Sequence, residues 1–385
     1  MSNESKKEYI TLLFACYRNS SKKERSRILD EICRNLQIHR KSAIRLFGSI
    51  SKEKNKKGRK KVYSFEVIRH LKILWESMDY ICAKRMVAAI PNWIGHYECT
   101  EEVKKKILEM SASTIDRSLK PFRSALRRRR NCGTKSSRLL KTMIPIKPLD
   151  WNVPGPGTVE MDTVAHCGDS LSGEFIWSLT LTDIYSGWTE NRAIWGKLSL
   201  QVLDMVQDIQ KSLPFSLFSV SVDNGSEFIC HKLFQHFCPP DHPERHIHFT
   251  RSRAYKKNDQ CHVEQKNWTH VRQFWGYARF DDKKALDPMN TLYRDYYSYL
   301  QNFFMPQVKL LRKTRIGARV KREYTKPQTP YQRLLGCPAI SDDKKEELKR
   351  QYAALNPFCL TKTIREQQRT IAKLQTVIVQ EQEAA

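Results

Sequence analysis

The sequence lacks any apolar run long enough to cross a membrane, and its start, MSNESKKEYI, lacks the apolar segment of a secretory signal peptide. It also lacks Cys-x-x-Cys pairs, because the 11 cysteines are scattered along 385 residues. In a chain of this length that pattern is typical of reduced, mostly buried thiols rather than of a disulfide framework. We therefore expect a cytoplasmic protein with no membrane partner.

Acidic residues are scarce at both ends of the chain. The whole chain holds 68 Lys and Arg against 41 Asp and Glu, a formal net charge of +27. Residues 1–150 hold 36 basic and 15 acidic residues, residues 151–277 hold 11 and 14, and residues 278–385 hold 21 and 12. A near-neutral middle segment between two basic segments predicts that the basic segments bind a polyanion and that the middle segment acts on it. A generally basic solvated surface, the alternative, would not leave the middle negative.

Two short amphipathic helices joined by a tight turn are predicted near the start of the chain. Apolar residues recur at helical spacing in SSKKERSRILDEICRNL (20–36) and in HRKSAIRLFGSI (39–50), where Ile44 and Phe47 are expected to face inward. The second helix is basic on its outer side, which predicts a helix-turn-helix that contacts DNA, although a small bundle with solvated charges fits the same pattern. The predicted DNA-binding residues here are Arg40, Lys41 and Arg45.

A second set of helices follows a basic linker, SKEKNKKGRKK (51–61). From Ser64, a predicted N-cap, two apolar-faced helices are expected to run until Pro91. Further on, Ser113-x-x-Asp116 offers a capping-box pattern before another short helix. Repeated short helices with basic second members predict more than one DNA-reading unit. The predicted DNA-binding residues of this set are Arg117 and Lys120.

The chain changes character at Trp151, where WNVPGPG marks a boundary. Three strand patterns with short connections are expected to be antiparallel, and after them strands alternate with helices. This order predicts an α/β arrangement, a mixed five-stranded sheet with helices packed against it. The predicted strands cover 158–166, 174–183, 189–197, 218–223 and 246–252, and the predicted helices cover 199–212, 226–237 and a segment from about residue 258.

Three carboxylates occupy unusual places in these elements. Asp162 stands mid-strand in VEMDTV, where a charge is unfavourable unless something compensates it. Asp223 ends the strand FSVSVD directly before Asn-Gly, and alone it would be read as turn chemistry. Glu264 precedes Trp268 and Trp275 at helical spacing, so it is expected to share the face turned toward the core. Converging buried carboxylates need a cation, and a divalent metal is the usual one.

Three such acids, meeting from a strand, a strand end and a helix, would suit two Mg²⁺ ions about 3.5–4 Å apart. That arrangement favours in-line displacement at a phosphodiester. One ion would activate the attacking water or 3′-hydroxyl, and the other would stabilise the leaving oxygen. A basic residue is then not required as general base, since the metal lowers the pKa of the nucleophile.

The stretches EMDTV, SVDNGSEF and KKNDQCHVEQKN resemble the three signature stretches of the catalytic core of DDE transposases and retroviral integrases. The element order resembles their ribonuclease-H-like fold, and the helical front end is most similar to insertion-sequence transposases. The resemblance implies that Asp162, Asp223 and Glu264 are the catalytic, metal-binding triad, with Mg²⁺ or Mn²⁺ as cofactor. It also implies double-stranded DNA as partner (terminal repeats and target), a homo-oligomer assembled on DNA, and a bacterial, nucleoid-associated location.

The sequence also departs from the resemblance. Forty residues separate Asp223 from Glu264, more than in retroviral integrases, and the extra length is assigned to the loop CPPDHPERH (238–246). The His/His/Cys/Cys front domain of those integrases has no counterpart here, so zinc is not expected.

Other polar residues compete for roles near this site. Glu160 shares the strand face of Asp162, and the sequence pattern alone does not separate the two; the resemblance favours Asp162. Asp183 is interpreted as strand-end structure, and Glu227 as the favourable negative charge at the start of a helix. Three residues before the Glu264 helix are candidates to hold DNA phosphates, although a solvated face explains them equally well. These are Lys256, Lys257 and Asn258.

The chain beyond the core continues with an aromatic-rich helix that should end before Pro306, then a basic stretch, KLLRKTRIGARVKREYTKP (309–327), and one or two amphipathic helices. The basic stretch is predicted to form a small β module that binds phosphates. The fold class predicted for the whole chain is therefore multidomain: an all-α helix-turn-helix front, an α/β ribonuclease-H-like core and a basic C-terminal region. The predicted boundaries are 1–62, 63–150, 151–278 and 279–385.

Two functions of different kinds fit this sequence. The first is an active DNA transposase or integrase that binds transposon ends, cleaves DNA and joins 3′-hydroxyls to target DNA. The second is a catalytically decayed or domesticated transposase that acts as a DNA-binding regulator. Because all three acids are present in uninterrupted motifs, the sequence favours the active enzyme.

Overall fold

The computed structural model describes residues 3–51, 62–123, 153–223, 225, 227–228, 230–253 and 260–375. The chain divides into two compact units, Met1–Val62 and Tyr63–Ala385. The finer division of the second unit into three domains stays a prediction. None of the described helices is both long and apolar enough to cross a bilayer.

The first unit is a three-helix bundle whose second and third helices are the predicted pair. The helices are α1 (Asn3–Asn19), α2 (Lys22–Leu36) and α3 (Arg40–Ser51). Ser21 caps α2 in a reciprocal capping box with Glu24, and Phe47 of α3 is buried against α2. The prediction that Ile44 faces inward is wrong, because its side chain is 49% exposed. Only one narrow side of α3 is covered, and Ile44 lies outside it.

The second unit begins with four helices, α4 (Phe65–Ser77), α5 (Ala83–Ile94), α6 (Glu101–Leu108) and α7 (Ala112–Arg123). Ser64 caps α4 as predicted, but Pro91 does not end a helix, since it lies inside α5 on the exposed side. Proline has no N–H to donate to the carbonyl one turn earlier, and on the exposed side water can donate to that carbonyl instead. The cap of α7 also differs from the prediction. The hydroxyl of Ser111, not that of Ser113, accepts from the backbone N–H of Thr114 at 3.2 Å.

A mixed five-stranded sheet forms the centre of the second unit, which confirms the predicted sheet and the helices around it. Its strands are β1 (Thr158–Ala165), β2 (Ile176–Asp183), β3 (Thr189–Trp195), β4 (Ser219–Val222) and β5 (His248–Arg251), in the spatial order β3-β2-β1-β4-β5. β2 pairs with β1 and with β3 in antiparallel fashion, as expected from the short connections, whereas β4 is parallel to β1 and β5 is parallel to β4. The parallel pairs need longer crossovers that hold helices.

The crossovers and the exit from the sheet are helical. The helices are α8 (Ser199–Ser212), α9 (His231–Phe237), a 3₁₀ turn (Pro243–Arg245) and α10 (Cys261–Lys266), which continues as a π-helical segment (Asn267–Arg272) and α11 (Gln273–Trp275). Helix α9 begins five residues later than predicted, with Cys230 as its N-cap. The late start of α9 and the π-helical segment after α10 both change where acidic residues of the candidate site lie.

The C-terminal part adds an aromatic helix, a hairpin and three more helices. The aromatic helix consists of a 3₁₀ turn (Lys283–Ala285), α12 (Leu286–Leu292) and two π-helical segments (Tyr293–Tyr297 and Leu300–Phe304), so it ends before Pro306. The hairpin is β6 (Leu310–Ile316) with β7 (Arg319–Tyr324), and it is followed by α13 (Pro330–Leu335), α14 (Asp342–Ala354) and α15 (Pro357–Ala372).

One hydrophobic cluster runs through the second unit. It includes α4–α7, both faces of the sheet and the C-terminal helices. Two hydrogen bonds add to this hydrophobic cluster. The indole of Trp93 in α5 donates to the carbonyl of Phe304 at 3.2 Å, and Arg85 donates to the carbonyl of Pro306 at 2.6 Å. The sheet is therefore held from both faces, which fixes the strands that carry the candidate site.

Candidate functional site

Asp162 and Asp223 come together from neighbouring strands. Met161 of β1 and Val222 of β4 are partners in the parallel register, so the next residue of each chain segment is one of these aspartates. Burial first, and then the neighbouring charge of Asp223, raise the pKa of the Asp162 carboxyl to about 8. Burial and the charge of Glu227 also raise the pKa of Asp223. The predicted adjacency of the two aspartates is therefore present in the fold.

The Asp162 carboxylate is held by two hydrogen bonds. Its Oδ1 accepts from the backbone N–H of Thr163 at 2.7 Å, and its Oδ2 accepts from the side-chain amide of Asn267 at 2.7 Å. Asn267 is the first residue of the π-helical segment that continues α10. Asn267 is not among the residues predicted from the sequence, because an asparagine three residues after an acid has no strong pattern of its own.

Glu264 does not lie on the buried face of its helix, which corrects the sequence prediction. Its side chain is exposed, whereas Val263, Lys266 and Asn267 are buried. The prediction extended a regular α-helical period as far as Trp275, but the π-helical segment has i→i+5 bonds and more residues per turn, which shifts the phase. Within the described ranges, no three His, Cys, Asp or Glu side chains are grouped to hold a metal ion.

The position of Glu264 along the helix still relates it to the aspartates. Residues three apart on a helix are neighbours on its surface, so Glu264 lies one turn before Asn267, the residue bonded to Asp162. Glu264 is thus on the turn next to the aspartate pair, with its side chain toward solvent. Whether it serves as a ligand stays a prediction.

Glu160, the rival of Asp162, anchors the helix that bears Glu264. Its fully buried carboxylate accepts from the backbone N–H groups of His262 and Val263, each at 2.9 Å, and lies 2.9 Å from Nδ1 of His262. Burial opposes the charge of His262, but hydrogen bonds with Cys261 and Glu160 outweigh it and raise its pKa to about 9. A carboxylate at a helix N-terminus satisfies the free N–H groups there. Glu160 therefore positions α10 on β1.

Glu227 is a buried acid of the site that the sequence analysis assigned elsewhere. Because α9 begins only at His231, Glu227 lies in the loop before the helix and not at its N-terminus. Its Oε1 accepts from the hydroxyl of Thr163 at 2.8 Å and lies 2.7 Å from Nζ of Lys197. The interpretation of Glu227 as a helix-dipole partner is wrong, since Glu227 and Phe228 lie in a turn and α9 begins at His231.

Gly225 brings the loop carboxylates together. Its N–H donates to Oδ1 of Asp223 at 2.7 Å. A Cβ built at Gly225 would lie 2.7 Å from this oxygen and 2.7 Å from Oε2 of Glu227, so the two oxygens are at most twice that distance apart. Oε2 of Glu227 is buried and has no hydrogen-bond partner in the described part of the chain. A buried, unsatisfied carboxylate oxygen is costly unless a cation or donor meets it.

Lys197 supplies positive charge to this group of acids. It follows Gly196 in the short connection between β3 and α8, and its Nζ lies 4.2 Å from the centre of the Trp177 ring. Its side chain is 38% exposed, so the ammonium sits between solvent and the buried Glu227. Lys197 lowers the pKa of Asp162 and Asp223, but less than burial raises them. One cation therefore faces three carboxyl groups at this site.

The predicted DNA-binding residues differ in their surroundings. Arg40 pairs with Asp30 and donates to the hydroxyl of Ser26 at 2.7 Å, so it ties α3 to α2. Arg117 donates to the carbonyl of Ser113 at 3.2 Å. The remaining described members of the set are exposed, namely Lys41, Arg45 and Lys120. Lys256, Lys257 and Asn258 lie outside the described residues.

The fold and the site define an α/β protein in which the half-buried Asp162 and Asp223 and the buried Glu227 lie close together beside a mixed sheet. No protein-family model matches the chain. The chain is 37% identical over 348 residues to the uncharacterized protein y4rM of Sinorhizobium fredii (strain NBRC 101917 / NGR234), covering 88% of this chain and 97% of that protein. It therefore belongs to the same family as y4rM.

Among solved structures, the chain is similar to the catalytic core domain of the HTLV-2 integrase, determined in complex with magnesium in a dimeric form. The sequence identity is 17%, the match covers 40% of this chain and 90% of that one, and the TM-score is 0.28. A similarity of this size carries no weight for the fold or the function of this chain.

Proposed function

We propose that the chain is a DDE-type DNA transposase, a polynucleotidyl transferase that binds DNA ends, cleaves them and joins their 3′-hydroxyls to target DNA. The observation that carries the proposal is the pair Asp162 and Asp223. The parallel register of β1 with β4 sets the two carboxylates side by side, and burial raises the pKa of both. Carboxylates whose pKa values are raised by burial and by a neighbouring carboxylate are candidates for a functional site.

The donor set fits a hard divalent cation. Asp162, Asp223 and the unsatisfied Oε2 of Glu227 offer only oxygen atoms, and Glu264 lies one helical turn before Asn267, whose amide orients Asp162. We assign Asp162, Asp223 and Glu264 as the residues that would hold Mg²⁺ or Mn²⁺. When bound, such ions would activate the attacking oxygen and stabilise the leaving oxygen of a phosphodiester.

The remaining residues of the site position the ligands. Glu160 fixes the start of the helix that bears Glu264 against β1, and Asn267 fixes the orientation of the Asp162 carboxylate. Glu227, held by Thr163 and Lys197, supports the Asp223 loop from its buried side. Residues of this kind hold catalytic groups in place and are not expected to touch the DNA.

The alternative, a DNA-binding regulator without catalysis, draws support from the exposed side chain of Glu264. In that case the aspartate pair would be a remnant of an active site. The basic front, with its exposed Lys41 and Arg45, would still bind DNA.

A strand-transfer assay on duplexes made from the DNA that flanks the gene tests the proposal. Wild-type protein with Mg²⁺ should nick the duplex and join its 3′-end to a second duplex, and EDTA should stop both steps. A protein that binds the flanking DNA in a gel shift, but produces neither nicked nor joined strands with Mg²⁺ or Mn²⁺, is the regulator and not the enzyme.

A further inference from the structure

The hairpin β6–β7 is a second, separate sheet, and nearly all of its described side chains are exposed. Its strands pair from Leu310 with Tyr324 to Ile316 with Arg319, and every residue of β7 is exposed. A lone two-stranded hairpin is at best marginally stable in water, because it buries little apolar surface. The hairpin is therefore an element whose side chains are available to a partner.

The charge of the hairpin selects the kind of partner. Residues 310–324 contain six Lys or Arg and a single acid, Glu323. In the part of the chain that the structure describes, the one ion pair within the hairpin joins Lys321 to Glu323 at 2.9 Å. Four exposed arginines have no carboxylate within ion-pair distance among the described residues. They are Arg312, Arg315, Arg319 and Arg322.

The register places these arginines on both faces of the ribbon. Cross-strand partners share a face, and neighbours along a strand alternate, so Arg312 and Arg319 lie on one face and Arg315 and Arg322 on the other. A flat protein surface would meet only one face. A groove of duplex DNA has a row of phosphates on each side, and the major groove, about 12 Å wide, admits a two-stranded ribbon.

The base of the hairpin is fixed to the core. Nζ of Lys309 donates to the carbonyl of Tyr185 at 2.7 Å, and Nη1 of Arg333 donates to the carbonyl of Ser186 at 2.8 Å. Both carbonyls belong to the turn between β2 and β3, at the end of the sheet where β1 begins. Asp223 follows the last residue of β4, which is parallel to β1, so it lies toward the other end. The hairpin therefore starts away from the carboxylate pair.

We propose that the β6–β7 hairpin is a DNA-binding arm that enters a groove of duplex DNA and holds phosphates on both sides through these four arginines. The proposal rests on the proposed action on DNA, but it needs no metal-dependent step.

The test is DNA binding by the full chain in EDTA. The quadruple variant Arg312→Gln, Arg315→Gln, Arg319→Gln, Arg322→Gln is compared with wild type, by fluorescence anisotropy on a labelled random-sequence duplex between about 50 and 200 mM salt. Each phosphate contact contributes about −0.9 to the log–log salt slope, so the variant should have a slope less steep by about 3 to 4 units. The matching Arg→Lys quadruple variant should keep most of the slope, which separates charge from folding.

A matched control removes the same charge elsewhere. Exposed cations of α14 and α15 are changed together: Lys349→Gln, Arg350→Gln, Lys362→Gln and Arg369→Gln. This control should keep the wild-type slope. Bound duplex should also protect the hairpin arginines from trypsin, whereas cleavage in α14 should not change.

The outcomes separate the two proposals. If the wild-type chain does not bind duplex DNA at all, both the proposed function and the arm are wrong. If the wild type binds and the arginine variant keeps its slope, the arm alone is wrong. A variant that loses self-association in sedimentation while it keeps normal DNA binding would show that the hairpin meets a second copy of the chain, which also overturns the proposal.

Discussion

The two sheets of this protein place their charged residues in opposite ways. At the five-stranded sheet, Asp162 and the loop residue Asp223 are half-buried, the loop residue Glu227 is buried, and each of these carboxylates accepts a hydrogen bond. In the two-stranded sheet, Arg312 and Arg322 extend into solvent without a carboxylate partner among the described residues. The comparison shows that catalysis and DNA binding require different arrangements of charge. Catalysis requires a few charged groups held in fixed positions. Binding of a polyanion requires many charged groups that stay hydrated until they meet the phosphates.

The largest expected effect separates chemistry from binding. Asp162→Asn or Asp223→Asn should lower Mg²⁺-dependent strand transfer by about a thousandfold or more, since each removes a charge that the transition state depends on. Both variants should bind duplex DNA like wild type. The hairpin arginine variant should do the reverse, with weak binding but near-normal joining once DNA is saturating. Gel shifts and single-turnover joining measure the two quantities, and a loss of both in either class would erase the contrast.

Gly225→Ala should have the next largest effect. A methyl group at this position would lie 2.7 Å from Oδ1 of Asp223 and from Oε2 of Glu227, so the loop must move. A displacement of about 1 Å at a catalytic group costs on the order of a hundredfold in rate. Gly95→Ala, where nothing lies within 4 Å of the new methyl, is the matched control and should keep full activity. Normal joining by Gly225→Ala would mean that the Asp223 loop tolerates rearrangement.

Glu227→Gln should have a moderate effect on metal dependence. The substitution keeps the size of the side chain but removes a negative charge beside Asp223, so the site should attract cations less. Supporting residues around metal ligands typically change metal affinity by about 10–100-fold, and we expect the Mg²⁺ concentration for half-maximal joining to rise by about tenfold. The exposed Glu244→Gln is the control. An unchanged Mg²⁺ requirement would make Glu227 a purely structural acid.

The smallest expected effect is on the pH dependence of stability without metal. The folded pKa of Asp162 is about 8, against a reference value of 3.8, so the folded protein keeps a proton that the unfolded chain loses in this range. Its stability in EDTA should therefore fall as pH rises from about 4 to 8. Asp162→Asn should flatten this trend, and the exposed Asp169→Asn should not. Thermal unfolding at pH 5 and pH 8 measures this pH dependence. An equal change of stability between the two pH values in wild type and in Asp162→Asn would contradict the raised pKa of Asp162.

The sequence predicted the elements of the central sheet well, because strand alternation and turn residues are local signals. It also placed Asp162 within a strand and Asp223 at the end of a strand that becomes its neighbour. It failed at Glu264, because a regular helical period does not anticipate the π-helical segment at Asn267. It failed at Glu227 because Glu227 lies in a turn, four residues before the helix that begins at His231.

By itself, the amino-acid sequence determined the distribution of charge, the strand and helix order, and which acids stand at strand positions that disfavour them. Only the tertiary structure decided that Glu227 reaches Thr163, which is 64 residues earlier, and that it pairs with Lys197. It also decided that Glu160 holds α10 while Asp162, two residues later on the same strand, is oriented by Asn267. Such contacts join segments that are distant in sequence, so they exist only when the parallel strands and their helical crossovers have closed around one core.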